Sequence, residues 1–122
     1  VNGLRRGGHE IATHTYGHTG NPTPIEIEGA RAWLTDECGV PEEDIRGFRA
    51  PNLHRTQDTF LRLRELGFLY DSTVTEPPDS GTYSDGGRNN YWPYTMDECG
   101  PEPWRCEPSD AVPGLFEVPM WT

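Results

Sequence analysis

The chain has 122 residues, which is enough for at most one modest domain. Its twenty carboxylates and ten arginines give a net charge of −10 without any lysine, and such a surface repels phosphate backbones, which disfavours nucleic-acid binding. No run approaches the roughly 18 apolar residues of a membrane-spanning helix, so no transmembrane segment is predicted. The acidic balance suits a neutral or weakly cationic partner, such as a glycan.

The first third of the chain predicts a strand followed by a helix. Residues 9–14 alternate weakly between apolar and polar side chains, which indicates a strand that ends at the histidines. Thr23 as N-cap, Pro24 at the first helical position and Glu26 at the third form a capping box. We therefore predict a helix over about residues 25–37.

The remaining elements continue the alternation of strands and helices. Residues 45–50 predict a second strand, residues 57–66 a second helix, and residues 68–74 a buried third strand. Residues 75–114 hold most of the prolines and glycines and predict a long irregular loop, after which residues 115–121 predict a last strand. This order indicates an α/β fold with a parallel sheet and right-handed crossovers.

Three cysteines bear on the setting of the protein. Cys99 and Cys106 enclose a turn-rich stretch that a disulfide would close into a small loop, stabilising the fold by roughly 2–3 kcal/mol. Two free thiols, or soft metal ligands, are the alternative, although the spacing is long for the usual cysteine pair of a zinc knuckle. If Cys99 and Cys106 pair, Cys38 is left over, and the alternatives for it are a pairing outside residues 1–122 or a free thiol.

A histidine pair stands at the end of the first predicted strand. His14 and His18 lie four positions apart and can hold one metal ion if the backbone between them makes roughly one turn, with Gly17 supplying the backbone freedom. The alternative is a surface loop that happens to contain two histidines, because zinc needs at least a third protein ligand.

Several ordered segments resemble the motifs of one enzyme family. Residues 8–18 (GHEIATHTYGH), 47–52 (GFRAPN) and 66–72 (LGFLYDS) are similar to the second, third and fourth motifs of the NodB-type polysaccharide deacetylases, carbohydrate esterase family 4. Residues 91–97 (YWPYTMD) and 113–120 (PGLFEVPM) look like the chitin deacetylases of eukaryotes. The resemblance implies a partial, distorted (β/α) barrel of the NodB homology type with a long disulfide-stapled loop.

The family barrel is longer than this chain. The resemblance therefore implies that residues 1–122 form the central part of one deacetylase domain, with a Thr-Phe-Asp-Asp-like motif expected before residue 1 and a Leu-x-His motif after residue 122. No Asp-Asp pair occurs in the sequence. We accordingly expect the 122-residue chain alone to be inactive.

The resemblance also implies an activity and a setting. It predicts a hydrolase that uses zinc, or another divalent metal such as cobalt, to remove N-acetyl groups from an N-acetylglucosamine polymer, most readily chitin. The alternatives are the same fold acting on xylan, peptidoglycan or an allantoin-like amide, and a catalytically dead glycan-binding homologue. Eukaryotic chitin deacetylases carry a similar short cysteine loop, which favours the Cys99–Cys106 disulfide and an extracellular or cell-wall location. The oligomeric state is left open.

The family roles transfer to five positions of this sequence. His14 and His18 match metal ligands, and Arg49 matches an arginine that orients the catalytic aspartate. The backbone N–H of Asn52, where the family usually has an aromatic residue, matches an oxyanion donor. Asp71 matches an aspartate that lies behind the site and tunes the arginine. The alternatives are a surface arginine at a strand end for Arg49 and a strand-end residue that caps local N–H groups for Asp71.

Other ring side chains have weaker matches. Trp92 is a candidate for stacking on a sugar ring in a substrate subsite, with a core tryptophan as the alternative. We expect His9 to be a packed structural residue and His54 to be a solvated loop residue.

Overall fold

A computed structural model describes residues 1–20, 22–76, 92–99 and 106–121. Its helices are α1 (Asn2–Arg6), α2 (Pro24–Asp36) and α3 (Gln57–Glu65), with short 3-10 turns at Glu42–Asp44, Pro51–Leu53 and Pro108–Asp110. Its strands have two residues each: β1 (Gly47–Phe48), β2 (Tyr70–Asp71), β3 (Thr75–Glu76), β4 (Tyr94–Thr95), β5 (Phe116–Glu117) and β6 (Met120–Trp121). No helix of these described residues is long and apolar enough to cross a membrane.

The main sheet has the strand order β1-β2-β5-β4. The first three strands are parallel, as predicted, whereas β4 runs antiparallel to β5, so the sheet is mixed. Strands β3 and β6 form a separate parallel pair. The α/β class is therefore confirmed as a small, open arrangement of helices around a mixed sheet.

The two longer helices form where local signals predicted them. The Thr23 hydroxyl accepts a hydrogen bond from the Glu26 amide at the start of α2, and α2 ends one residue before the predicted boundary. The predicted hydrogen bond from the Thr23 amide to the Glu26 carboxylate, which would complete the capping box, is wrong. The carboxylate accepts from the Gly17 amide of the preceding loop instead. Helix α3 has a complete capping box between Thr56 and Thr59.

The first predicted strand, over residues 9–14, is wrong in most of its length. Only Thr13 pairs, in an isolated parallel bridge with Phe48 of β1. The Thr13 amide donates to the Gly47 carbonyl over 2.9 Å, and the Arg49 amide donates to the Thr13 carbonyl over 3.1 Å. The segment runs beside the outer edge of β1, where these few contacts suffice to place the following histidine turn.

The C-terminal region is more divided than its sequence indicated. The single strand predicted over residues 115–121 is split into β5 and β6, which pair with different partners. The irregular loop predicted over residues 75–114 contains β3 and β4, and its residues 77–91 and 100–105 lie outside the described part of the chain.

The predicted disulfide between Cys99 and Cys106 is present, with the two Cα atoms 5.0 Å apart. Both of these cysteines are buried, whereas Cys38 is a half-buried free thiol. The disulfide therefore joins the hydrophobic core rather than a solvated loop.

The core lies between the sheet and helices α2 and α3. Phe60 and Leu63 of α3 are fully buried, and Ile27 of α2 is buried against the same cluster. The rings of Phe48 and Phe68 meet edge to face, 6.3 Å apart. Since each such side chain stabilises the fold by roughly 1.5–3 kcal/mol, this packing holds the sheet edge beside the histidines.

Candidate metal centre

The histidine turn, residues 13–20, brings the two predicted ligands together. The ring centroids of His14 and His18 are 4.9 Å apart, with 62° between the ring planes. The left-handed backbone that closes the turn is at Thr15 (φ 64°) and His18 (φ 54°), not at Gly17 as predicted. Positive φ is unfavourable for a β-branched residue such as threonine, so outside contacts are needed to hold the turn.

His14 has a defined tautomer in this arrangement. Its Nδ1 atom lies 2.7 Å from the carbonyl oxygen of Arg49. Because a carbonyl can only accept, Nδ1 carries the hydrogen and donates it, which leaves the Nε2 lone pair of the neutral ring free for a metal ion. A backbone carbonyl behind the ligand is the usual partner that orients a metal-binding histidine.

The side chains of the turn provide part of a site for a divalent ion such as zinc or cobalt. Two imidazole nitrogens suit zinc or cobalt, and the buried hydroxyl of Thr15, the residue after His14, has no hydrogen-bond partner within the described ranges. The same ranges contain no group of three or more histidine, cysteine, aspartate or glutamate side chains placed to hold a metal. A zinc centre at His14 and His18 therefore needs at least one further protein ligand.

Arg49 lies directly behind the histidine turn. Its guanidinium donates from Nε to the Ser72 carbonyl over 2.9 Å and from an Nη atom to the Ser72 hydroxyl over 2.7 Å. The Ser72 hydroxyl in turn donates to the Val118 carbonyl over 2.6 Å. This forked arrangement holds the guanidinium in one orientation, although Arg49 is an exposed residue.

Asn52 and His54 border the far end of the turn. Asn52 is exposed and has a left-handed backbone (φ 53°), a conformation that asparagine tolerates well. His54 is exposed, as predicted, but its Nδ1 atom also lies 3.0 Å from the Gly20 carbonyl. A Cβ atom on Gly20 would be 3.1 Å from the side-chain Nδ2 atom of Asn52, which shows how closely these segments pack.

Asp71 belongs to a buried carboxyl pair that sequence reasoning missed. Asp71 and Glu117 are cross-strand partners on β2 and β5, and both are fully buried. Asp71 accepts from the Thr73 amide over 2.6 Å and from the Thr73 hydroxyl over 2.7 Å, and Glu117 accepts from the Val74 amide over 3.0 Å.

Glu117 keeps its proton at neutral pH. Burial and the neighbouring Asp71 charge raise the pKa of Glu117 to about 10, and burial also raises the pKa of Asp71. The protonated Glu117 carboxyl donates to the Asp71 carboxylate in a side-chain hydrogen bond, which satisfies both groups. The signal in the sequence was a glutamate within a strand whose partner strand was predicted to be buried.

The carboxyl pair reaches the Arg49 segment through one hydroxyl. The Thr73 hydroxyl that donates to Asp71 accepts from the Ala50 amide over 3.0 Å. Asp71 thus supports the backbone next to Arg49, whereas the guanidinium itself is held by Ser72. The contacts of Asp71 with Thr73 are those of a local N–H cap, which was the alternative for this residue. Its expected role of tuning Arg49 stays a prediction.

The remaining ring residues lie at the surface. Trp92 is 66% exposed, which rules out the alternative of a core tryptophan. His9 is also exposed, so its predicted structural packing is wrong, because the strand that would have buried it does not form. It lines a cavity of about 530 Å³ that neither His14 nor His18 borders.

The polar groups of this cavity are largely paired with one another. Tyr70 donates to Glu10 over 3.0 Å, and Arg5 pairs with Asp44 over 3.2 Å. Burial and the nearby Glu10 carboxylate raise the pKa of Tyr70 to about 12, so its hydroxyl stays protonated. This cavity is therefore separate from the histidine turn.

An α/β chain with this histidine turn can be compared with characterised proteins. No protein-family model matches it. Chitin deacetylase 1 of Bombyx mori is 32% identical to it over 88 residues, which cover 63% of this chain and 16% of that protein. The matched region thus spans about a sixth of the relative's length, and the similarity confirms the predicted resemblance to chitin deacetylases.

Proposed function

We propose that this chain carries the metal-binding part of a polysaccharide deacetylase that acts on a chitin-like N-acetylglucosamine polymer. The observation that carries the proposal is the approach of the His14 and His18 rings to 4.9 Å, with His14 oriented by a backbone carbonyl. The similarity to chitin deacetylase 1 supports the substrate class. The parallel order of β1, β2 and β5 beside the Thr13 bridge is compatible with part of a distorted (β/α) barrel.

In this proposal, His14 and His18 hold a divalent ion, zinc or cobalt, together with a ligand from outside the described residues. Such an ion supplies a water of lowered pKa and polarises the acetamide carbonyl. Arg49, held by its fork on Ser72, orients the carboxylate that accepts the proton of the attacking water. The backbone N–H of Asn52 donates to the acetamide oxygen, on which negative charge develops.

Two further residues complete the proposed site. Asp71 acts from behind, by holding Thr73 and through it the backbone beside Arg49. Trp92 has an exposed indole that is suited to stacking on a pyranose ring. The disulfide between Cys99 and Cys106 is compatible with secretion and supports an extracellular or cell-wall location.

The test uses the full-length protein after removal of bound metal. Zinc binding is measured by calorimetric titration, and acetate release is measured on acetylated chito-oligosaccharides. His14→Ala and His18→Ala are each expected to abolish tight zinc binding and turnover, because each leaves one imidazole of the pair. His9→Ala is the matched control, since this histidine is exposed but lies outside the turn.

Three other outcomes of these measurements would each support a different function or site. Zinc binding that survives in both turn variants would move the metal site elsewhere. Saturable glycan binding without acetate release in the unaltered protein would identify a non-catalytic binding homologue. Release of acetate from xylan but not from chito-oligosaccharides would keep the fold and change the substrate.

A further inference from the structure

Glu26, in the first turn of α2, makes two contacts with the histidine turn. Its backbone carbonyl accepts from the Tyr16 amide over 3.0 Å, and its carboxylate accepts from the Gly17 amide over 2.5 Å. Tyr16 and Gly17 both lie between His14 and His18 in the chain. Two successive N–H groups of the turn therefore end on one residue of the following helix.

Glycine at position 17 leaves room for the Glu26 carboxylate close to the backbone of the turn. A Cβ atom at residue 17 would lie 3.2 Å from each of the Glu26 carboxylate oxygens, closer than most real Cβ contacts. The backbone of Gly17 does not have positive φ, so the turn does not use the conformational freedom of glycine here. A side chain at this position would therefore push the carboxylate away from its present place against the turn.

The start of α2 leaves the carboxylate available for this role. The Thr23 hydroxyl already accepts from the Glu26 amide, so the helix is capped without help from the Glu26 side chain. A carboxylate in the first turn is also favoured by the helix dipole. Its hydrogen bond to a backbone amide is charge-assisted, which makes it stronger than a neutral one.

The two contacts act at the strained part of the turn. The left-handed residues Thr15 and His18 flank the pair of amides that Glu26 holds. His14 is oriented separately by the Arg49 carbonyl. We propose that Glu26 is a positioning residue that fixes the backbone between His14 and His18 and so sets the distance between the two imidazoles. This inference rests on the proposed metal site.

The first measurement is zinc affinity of the metal-stripped full-length protein. Loss of an orienting contact behind metal ligands typically weakens metal affinity by about 10-fold to 100-fold, and Glu26→Ala is expected in this range. The zinc affinity of Glu26→Gln should lie between those of the unaltered protein and Glu26→Ala, because the glutamine side-chain oxygen can still accept the hydrogen bond but carries no charge. Glu28→Ala, an exposed glutamate on the same helix, is the matched control and should stay within about twofold.

A second variant protects the test against a local loss of folding in α2. Gly17→Ala leaves Glu26 and the helix intact but displaces the carboxylate from the turn, because the added Cβ meets its oxygens. It is expected to weaken zinc binding as Glu26→Ala does. Unchanged zinc affinity in both Glu26→Ala and Gly17→Ala would overturn the proposed role.

A metal-independent measurement separates this inference from the proposed function. In the metal-free protein, the Gly17 amide proton should move upfield in the ¹H–¹⁵N spectrum of Glu26→Ala and remain in place in Glu28→Ala. An unmoved Gly17 resonance overturns the contact itself. If His14→Ala retains tight zinc binding, the proposed metal site is refuted. The Gly17 resonance still shows in that case whether Glu26 holds the turn.

Discussion

The histidine turn and the carboxyl pair place polar side chains in opposite ways. In the turn, His14 and His18 are exposed, and their position depends on backbone contacts with neighbouring segments. In the pair, Asp71 and Glu117 are fully buried and satisfy one another and nearby amides. Groups that must meet a ligand are held from behind, whereas groups that support the fold use their whole hydrogen-bonding capacity internally.

The two regions meet at residues 49 and 50. The Arg49 carbonyl accepts from His14, while the next amide, that of Ala50, donates to the Thr73 hydroxyl held by Asp71. A change in the carboxyl pair can therefore reach the histidines through two residues of backbone. The variants below separate stability from site chemistry, in the full-length protein.

The largest expected effect is a loss of stability in Asp71→Ala. The substitution leaves the buried Thr73 amide and hydroxyl and the Glu117 carboxyl without their partner, at about 1–3 kcal/mol for each unsatisfied group. We expect the free energy of unfolding, measured with urea, to fall by about 3–5 kcal/mol. His14→Ala should lower it by less than about 1 kcal/mol, since its side chain is exposed. Equal losses in the two variants would remove the contrast between the regions.

An intermediate effect is expected on turnover in Arg49→Lys. Lysine keeps the charge but cannot reproduce the two-point contact with the Ser72 carbonyl and hydroxyl. We expect kcat for acetate release to fall about 100-fold, which corresponds to about 2.7 kcal/mol, while zinc affinity is unchanged. Unchanged turnover would show that Arg49 has no part in catalysis.

The smallest expected effect is on the pH dependence of unfolding, in Glu117→Gln. The pKa of Glu117 is raised from 4.5 to about 10 in the folded protein, so between these values the folded state keeps a proton that the unfolded state releases. The stability contributed by the protonated group is therefore fully present below pH 4.5 and is lost as pH rises toward 10. Glutamine is neutral at every pH and should remove this slope.

The measurement is a urea titration at several pH values between 6 and 8. The free energy of unfolding of the unaltered protein should fall relative to Glu117→Gln by up to about 1.4 kcal/mol per pH unit. Glu28→Gln, at an exposed position, should keep the slope of the unaltered protein. Parallel curves for the unaltered protein and Glu117→Gln would show that no proton is held in the pair.

Elements with local signals were predictable from the sequence. Helices α2 and α3 form close to their expected bounds because Thr23 and Thr56 cap amides only three residues away. The strands were predicted less well, because a strand exists only where another segment offers it hydrogen bonds. The segment over residues 9–14 shows this, since only Thr13 finds a partner.

The same distinction applies to the candidate site. The spacing of His14 and His18 and the resemblance to chitin deacetylases are evident along the chain, whereas the pairing of Cys99 with Cys106 was favoured by that resemblance and is confirmed by the structure. The tertiary structure, in contrast, brings the Glu26 carboxylate out of its own helix to the Gly17 amide. It alone also set Asp71 against Glu117, 46 positions further along the chain, at their register on adjacent strands. Both contacts join distant segments, and the geometry that pairs them is set by core packing rather than by local propensity.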